Sequence, residues 1–413
     1  MNIYINEAQL TSELEKLASF SETPAPSVTR IVFSAVDMAA RGYIKQLCAA
    51  AALEIREDAV GNTFARWRGR QPELPAVGTG SHIDAIPHAG KFDGTVGVLG
   101  GLEAIRALQR AGAQPKRSVE LLLFTSEEPT RFGIGCLGSR LLCGSLDASA
   151  GEYLKDRNGL TLDEVRRQAG YTAALETVAM KKGCYAAFVE LHIEQGPLLE
   201  KEDLAVGVVT AIAAPSALRV LIEGEGGHAG AVLLPDRHDA FLAAAELALA
   251  VELAAKGSGS LDTVGTVGVC EVFPGAVNSI PSKTKLEIDI RDVDLRRRDA
   301  VLAQVLRASE EIGARRQVRF SIETINADPP AQCDEHIVEA LCRSCDDIGL
   351  PHKRLVSRAY HDSLFMSQIA PVSMLFVRCR GGISHRPDEY SSAADIAAGV
   401  KVLAQALYRL AEN

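Results

Sequence analysis

The sequence predicts an α/β protein of two domains. The larger is built on a mixed, mostly parallel sheet with helices on both faces, and a ferredoxin-like α+β domain is inserted into it. Three observations predict this. At 413 residues the chain is too long for one ordinary core. In the first half, short apolar runs alternate with helix-period stretches, as in strands joined by crossover helices. Near residue 213 the pattern changes to a β-α-β-β-α-β order, and the alternation resumes after Pro329-Pro330.

Taken in order, residues 6–17 have helical spacing, and residues 28–57 carry enough Ala, Leu and Ile for one long helix. Residues 76–82 read as a short buried strand running into a loop, and residues 96–109 as a helix. Residues 118–125 form the strongest strand, apolar and bounded by polar residues, and residues 185–189 are a further apolar run. The insert reads as a strand at 217–223, a helix at 235–255, strands at 263–273 and 283–292, a helix at 293–312 and a strand at 317–323. Its boundaries fall at 213 and 327, with Pro215 and Pro329-Pro330 as punctuation, so the larger domain comprises residues 1–212 and 328–413.

Composition narrows the function classes. Lys and Arg total 44 against 53 Asp and Glu, a net charge of −9, with no long basic run. Such a chain is suited neither to nucleic acid nor to polybasic membrane docking. No apolar run spans a membrane; the best stretch, residues 240–255, is interrupted by Glu246 and Glu252. The first seven residues carry no basic segment followed by an apolar core, and nine scattered cysteines suggest reduced thiols, so a cytoplasmic location is expected.

The chemistry-bearing residues cluster at the ends of buried segments. They are His82 with Asp84, Asp93 before Gly94, Glu127-Glu128 after the strongest strand, His192 after an apolar run, and His385 in a Gly-rich stretch. Any one of them alone is an ordinary loop residue. With Asp84 set aside as the partner of His82, they are three His, one Asp and two Glu at positions where an open α/β sheet forms its sites. Imidazole and carboxylate without thiolate suit Zn²⁺ or Mn²⁺ with open positions. Gly133-Ile134-Gly135-Cys136-Leu137-Gly138 has dinucleotide-loop spacing but lacks the strand-to-helix context, and Cys342-Arg343-Ser344-Cys345 has no second pair.

The ordered set Gly80-Ser81-His82-Ile83-Asp84, Gly90-Lys91-Phe92-Asp93-Gly94, Glu127-Glu128, Glu190-Leu191-His192-Ile193-Glu194-Gln195-Gly196 and Gly382-Ile383-Ser384-His385 resembles the hydantoinase/carbamoylase family. These are amidohydrolases related to the dinuclear-metal exopeptidases. The resemblance extends through the insert at Gly227-His228-Ala229-Gly230 and Asp289-Ile290-Arg291. It implies two divalent ions per subunit, Zn or Mn, with Asp93 bridging, His82 and His192 completing one site, and Glu128 and His385 the other. It further implies Glu127 as general base, and Gln195, Asn278, Arg291 and His361 as substrate contacts. His228 would reach the active site of the neighbouring subunit, in a homodimer joined through the insert, which doubles as a lid. The implied substrate is a small ureido or carbamoyl acid. Many members carry Gly before the His-Asp pair, whereas Tyr360 precedes His361 here. That variant points first to ureidoglycolate, with N-carbamoyl-L-amino acids or allantoate as alternatives.

Overall fold

The computed structural model describes residue 1 and residues 3–413. The chain divides into two compact units. The first comprises Met1–Thr210, Cys333–Leu355 and His361–Asn413, and the second Ala211–Gln332 and Val356–Tyr360. The second unit thus takes a few residues more on each side than 213–327, and a separate stretch besides. That stretch is held by the Ser357 carbonyl, which accepts from the Ala213 N–H at 2.8 Å.

The larger sheet has nine strands among the described residues. Val372–Val377, Tyr185–Ile193, Ala76–His82 and Val119–Phe124 lie side by side and parallel at its centre. Thr63–Trp67 and then Glu54–Glu57 extend one side antiparallel, and Val206–Ile212 begins the other antiparallel flank. The sheet is therefore mixed, with parallel pairing confined to the centre. One flank has a local cause. The Asp58 carboxylate accepts from the N–H groups of Val60 at 3.0 Å and Asn62 at 2.9 Å. That closes a turn and folds Glu54–Glu57 back on Thr63–Trp67. Alternate residues of each strand face opposite layers. Leu121 and Leu123 join a core built with helices Glu7–Ala18, Thr95–Arg110, Glu335–Asp346 and Ala393–Glu412. Leu122 and Phe124 join another with Phe33, Leu137, Leu141 and Met366.

Residues 28–57 do not form one helix. Val28–Arg30 pairs with Ala85–Ala89, the helix is Ala35–Ala50, and Glu54–Glu57 is a sheet strand. Ser34 starts the helix by accepting from the Asp37 N–H at 3.3 Å, and Ala52, with φ 56°, lies just past its end. The helix carries a fully buried pair. Arg41 Nε donates to Asp37 Oδ2 at 2.9 Å, and Arg41 Nη1 donates to the Gly61 carbonyl at 2.9 Å and to Thr125 Oγ1 at 3.2 Å. Removing one partner strands a buried charge, so Asp37→Ala should lower the unfolding free energy by about 3–5 kcal/mol. Urea melts measure it; a loss below about 1 kcal/mol, the scale of an ordinary substitution, refutes the assignment.

The second unit has the order strand Ala214–Glu223, helix Ala240–Lys256, strands Val264–Phe273 and Lys283–Asp292, helix Leu295–Arg316, strand Arg319–Ala327. Its four-stranded sheet is antiparallel, with both helices on one face around Leu218, Val220, Leu247, Leu286, Ile288 and Val305. Strict alternation along Lys283–Asp292 buries Leu286, Ile288 and Ile290 toward those helices.

Candidate metal centre

In the first unit the parallel strands end at one place. His82 is the last residue of Ala76–His82, and His192 the last but one of Tyr185–Ile193. Glu127-Glu128 follow Val119–Phe124, and His385 follows Val372–Val377. All therefore sit at carboxyl ends, where open α/β sheets bind ligands. Asp93 comes from the turn that opens helix Thr95–Arg110. That turn needs Gly94, whose φ is 66°; a Cβ there would lie 2.5 Å from His82 Nε2.

The donor atoms of His82, Asp93 and His192 lie within 4.8 Å of one another, and so do those of Asp93, Glu128 and His385. Asp93 belongs to both groups. The tautomers suit a cation. His192 Nδ1 lies 2.9 Å from the Ile193 carbonyl, and His82 Nδ1 lies 3.0 Å from the Asp84 carbonyl. A carbonyl only accepts, so each Nδ1 bears a proton, and each ring, when neutral, has its lone pair on Nε2. Those Nε2 atoms face Asp93 Oδ1 at 3.1 and 3.5 Å. The Gly94 N–H, 3.2 Å from His192 Nε2, also requires a lone pair there. His385 Nε2 lies 3.3 Å from Asp93 Oδ2 and 3.2 Å from Glu128 Oε1. Imidazole lone pairs and carboxylates converging without thiolate fit a hard or borderline divalent cation. The same acidity acts on protons: hydrogen bonds to Asp93 and Glu128 push the His385 imidazole up to about 11.

Glu127 stands beside these groups and belongs to neither. Its Oε2 is 3.8 Å from His82 Nε2, and the Cys136 thiol donates to its Oε1 at 3.5 Å. Burial, opposed by His82 and reinforced by Glu128, holds its carboxyl well above the usual carboxylate range. Asp84 does more than pair with His82. Its carboxylate accepts from the N–H groups of Glu127 at 3.2 Å and Glu128 at 3.0 Å, so it sets the backbone of both. Burial pushes the Asp84 carboxyl up to about 6. Three non-glycine residues at or beside the donors are left-handed: Ser126 at φ 57°, Gln195 at 55° and the donor His385 at 58°. Each costs about 1–3 kcal/mol, so the surroundings must hold them.

The other expected residues fall into two sets. In the first unit, Gln195 Nε2 donates to Asp93 Oδ2 at 2.7 Å, which makes it a support for the shared carboxylate. His361 heads helix Asp362–Met366 without a side-chain cap bond, and its ring centroid is 4.4 Å from that of His192. Glu190 groups with these two histidines. It accepts from Ser81 Oγ at 2.7 Å, Ser363 N at 3.1 Å and Ser363 Oγ at 2.6 Å, and so braces the floor. In the second unit, Gly227–His228 pairs with Ser279–Ile280, and the Ala229 N–H donates to the Asn278 carbonyl at 2.9 Å. His228 and Asn278 are thus neighbours. Asp239, not His228, caps the following helix. Arg291 forks onto Asp289, with Nε to Oδ1 at 2.8 Å and Nη2 to Oδ2 at 2.9 Å. The sequence assigns no role to Cys136, Ser384 or Glu389; the first two lie in the motifs at 133–138 and 382–385, and Glu389 has only its nearness in the chain to His385.

Residues 78–409 match the model of peptidase family M20/M25/M40, and the chain belongs to that family, a class of hydrolases that work with bound metal. It is 54% identical to the ureidoglycolate hydrolase of Arabidopsis thaliana, over 99% of this chain and 87% of that one. It is 37% identical to the N-carbamoyl-L-amino acid amidohydrolase of Geobacillus stearothermophilus, over 99% of this chain and all of the other. Among solved structures, AtUAH in complex with glyoxylate has a TM-score of 0.90 at 52% identity, covering 100% of this chain and 99% of that one.

Proposed function

We propose that this amidohydrolase hydrolyses ureidoglycolate, attacking a C–N bond of its ureido group and yielding overall glyoxylate, two ammonia and carbon dioxide, and that His82, Asp93, Glu128, His192 and His385 would hold two divalent ions, Zn or Mn. The observation that carries the chemistry is the shared Asp93, with one donor group on each of its sides and Glu127 alongside. The substrate rests on the relatives. Such a pair of ions supplies the Lewis acidity that a poorly electrophilic ureido carbonyl and a weakly nucleophilic water both need.

The chain's own residues do the rest. Glu127 takes the proton of the attacking water and delivers it to the leaving nitrogen. His228 Nδ1 accepts from the Gly230 N–H at 3.1 Å, so the neutral ring carries its proton on Nε2. That N–H donates to the substrate oxygen as negative charge builds on it. Asn278, His361 and Gln195 complete the substrate contacts, and Gln195 does so from its place on Asp93. Arg291 receives the substrate carboxylate, for which a planar guanidinium is the matching partner.

Losing a charged hydrogen bond costs roughly 1.5–3 kcal/mol, or about 10- to 150-fold in kcat/KM. Arg291→Ala should show that loss on ureidoglycolate and far less on amides without a carboxylate. Equal losses on both would make Arg291 only the partner of Asp289.

We further propose a homodimer joined through the second unit. Helix Ala240–Lys256 is apolar on two sides. Ala243, Ala244 and Leu247 are buried within the unit, while Leu242, Leu249 and Leu253 stand exposed. Beside it, strand Val264–Phe273 is at the edge of the sheet. An exposed apolar stripe next to an open strand edge supports symmetric pairing.

The deciding assay is ammonia release after addition of Mn²⁺ or Zn²⁺. The panel is ureidoglycolate, allantoate and N-carbamoyl-L-amino acids. Ureidoglycolate should be turned over fastest. Preference for a carbamoyl amino acid overturns the substrate, and no metal-stimulated turnover on any of them overturns the function.

A further inference from the structure

We propose that Glu389 is a positioning residue that fixes Asp93, and His385 with it, in ion-binding geometry. The proposal rests on the metal-centre reading above.

Glu389 is 4% exposed, yet it is not placed as a ligand, because both of its oxygens are occupied. Its Oε1 accepts from the backbone N–H of Phe92 at 2.8 Å and of Asp93 at 3.1 Å. Its Oε2 lies 2.9 Å from Ser384 Oγ, and the same hydroxyl lies 2.7 Å from Asp93 Oδ2. The contacts close a ring: Asp93 backbone, Glu389, Ser384, Asp93 carboxylate, in which the one Ser384 proton is shared between the two carboxylates. Asp93 is thereby held at two points, and rotation about its side-chain bonds is restricted.

The turn is shaped to admit this carboxylate. A Cβ on Gly90 would lie 2.4 Å from both Glu389 Cβ and Glu389 Oε1, so a side chain there would expel it. The two N–H groups lie at the start of helix Thr95–Arg110, where an anionic acceptor is favoured. The brace also acts on its own segment. Ser384 and Glu389 bracket His385, and the Arg386 carbonyl accepts from the Glu389 N–H at 3.1 Å. His385 sits at φ 58°, a conformation its neighbours must impose. One buried carboxylate thus orients the shared donor and a donor of the second group.

Groups that orient metal ligands typically change affinity by roughly 10- to 100-fold when removed. The test is Mn²⁺ titration of the metal-stripped full-length protein by calorimetry, with circular dichroism to establish folding. Glu389→Ala should weaken Mn²⁺ binding by roughly 10- to 100-fold. Glu389→Gln should keep affinity close to wild type. Its carbonyl can accept from the same two N–H groups, and its amide can donate to Ser384 Oγ while that hydroxyl donates to Asp93. Ser384→Ala, which breaks the ring at its most tolerant point, should fall between the two.

A folded Glu389→Ala protein that binds Mn²⁺ as tightly as wild type overturns the proposal. So does Glu389→Gln binding as weakly as the alanine variant. If Glu389→Ala does not fold, wild-type affinity in Ser384→Ala overturns it. Failure of the underlying reading looks different: wild-type protein that binds no Mn²⁺, or His192→Ala that binds it undiminished.

Discussion

Glu127→Gln should reduce turnover by roughly 10²- to 10⁴-fold, the usual contribution of a general base, while Mn²⁺ stays bound. The expectation follows from where Glu127 stands. Glu128 belongs to a donor group with Asp93 and His385, and Glu127 belongs to none. The backbone of both is held by Asp84, at 3.2 and 3.0 Å, and a glutamine leaves those bonds intact. An amide keeps the volume and loses the proton affinity. Metal content and turnover are to be measured on one sample. Near-normal turnover places the base elsewhere, and loss of metal makes Glu127 a ligand.

His228→Ala should lower kcat by roughly 10²- to 10³-fold, the cost of one oxyanion donor. Activity should return when the two inactive proteins share a dimer. His228 is exposed at the end of the short strand Gly227–His228, and Arg237 ties down the loop that follows, through the Ala229 carbonyl and, at 3.0 Å, the Val232 carbonyl. Such a residue is held ready and covered by nothing in its own unit. In a mixed dimer of His228→Ala and Glu127→Gln chains, one site has Glu127 from its own chain and His228 from the neighbour. The other site carries both lesions. Recovery should therefore approach about half of wild-type activity per mixed dimer. No recovery despite demonstrated subunit exchange means that His228 acts within its own chain or not at all.

The elements that read well from the sequence were those whose signals are local. Residues 283–292 alternate strictly, and the structure has the strand Lys283–Asp292. His82, Glu127-Glu128 and His192 lie at strand ends, where short apolar runs stop. Residues 28–57 misled because apolar content does not distinguish a strand, a helix and a second strand in succession. The breaks are the Ser34 cap and the left-handed Ala52, and their weight depends on Ala85–Ala89 and Thr63–Trp67 arriving from elsewhere. Glu389 was illegible for a related reason. Its partners at Phe92 and Asp93 lie far back in the chain, so no spacing announces them. Arg291 lay between these cases. Its partner Asp289 is only two residues away, and the fork they form is the geometry a substrate carboxylate would use.

The strand Val372–Val377 lies between Tyr185–Ile193 and Val206–Ile212, which do not pair with each other. On the ribosome those two strands are made early, and the strand that joins them comes almost last. All of the second unit beyond residue 212, including Val356–Tyr360, emerges in the interval. It is free to fold on its own account, while the first half waits with two unpaired edges. His385, the last residue of the two donor groups, follows the closing strand, so a nascent chain cannot complete the second group before its central sheet is zipped shut. Long-range closure of this kind is slow, and it puts completion of the sheet and completion of the second donor group at the same late stage of biosynthesis.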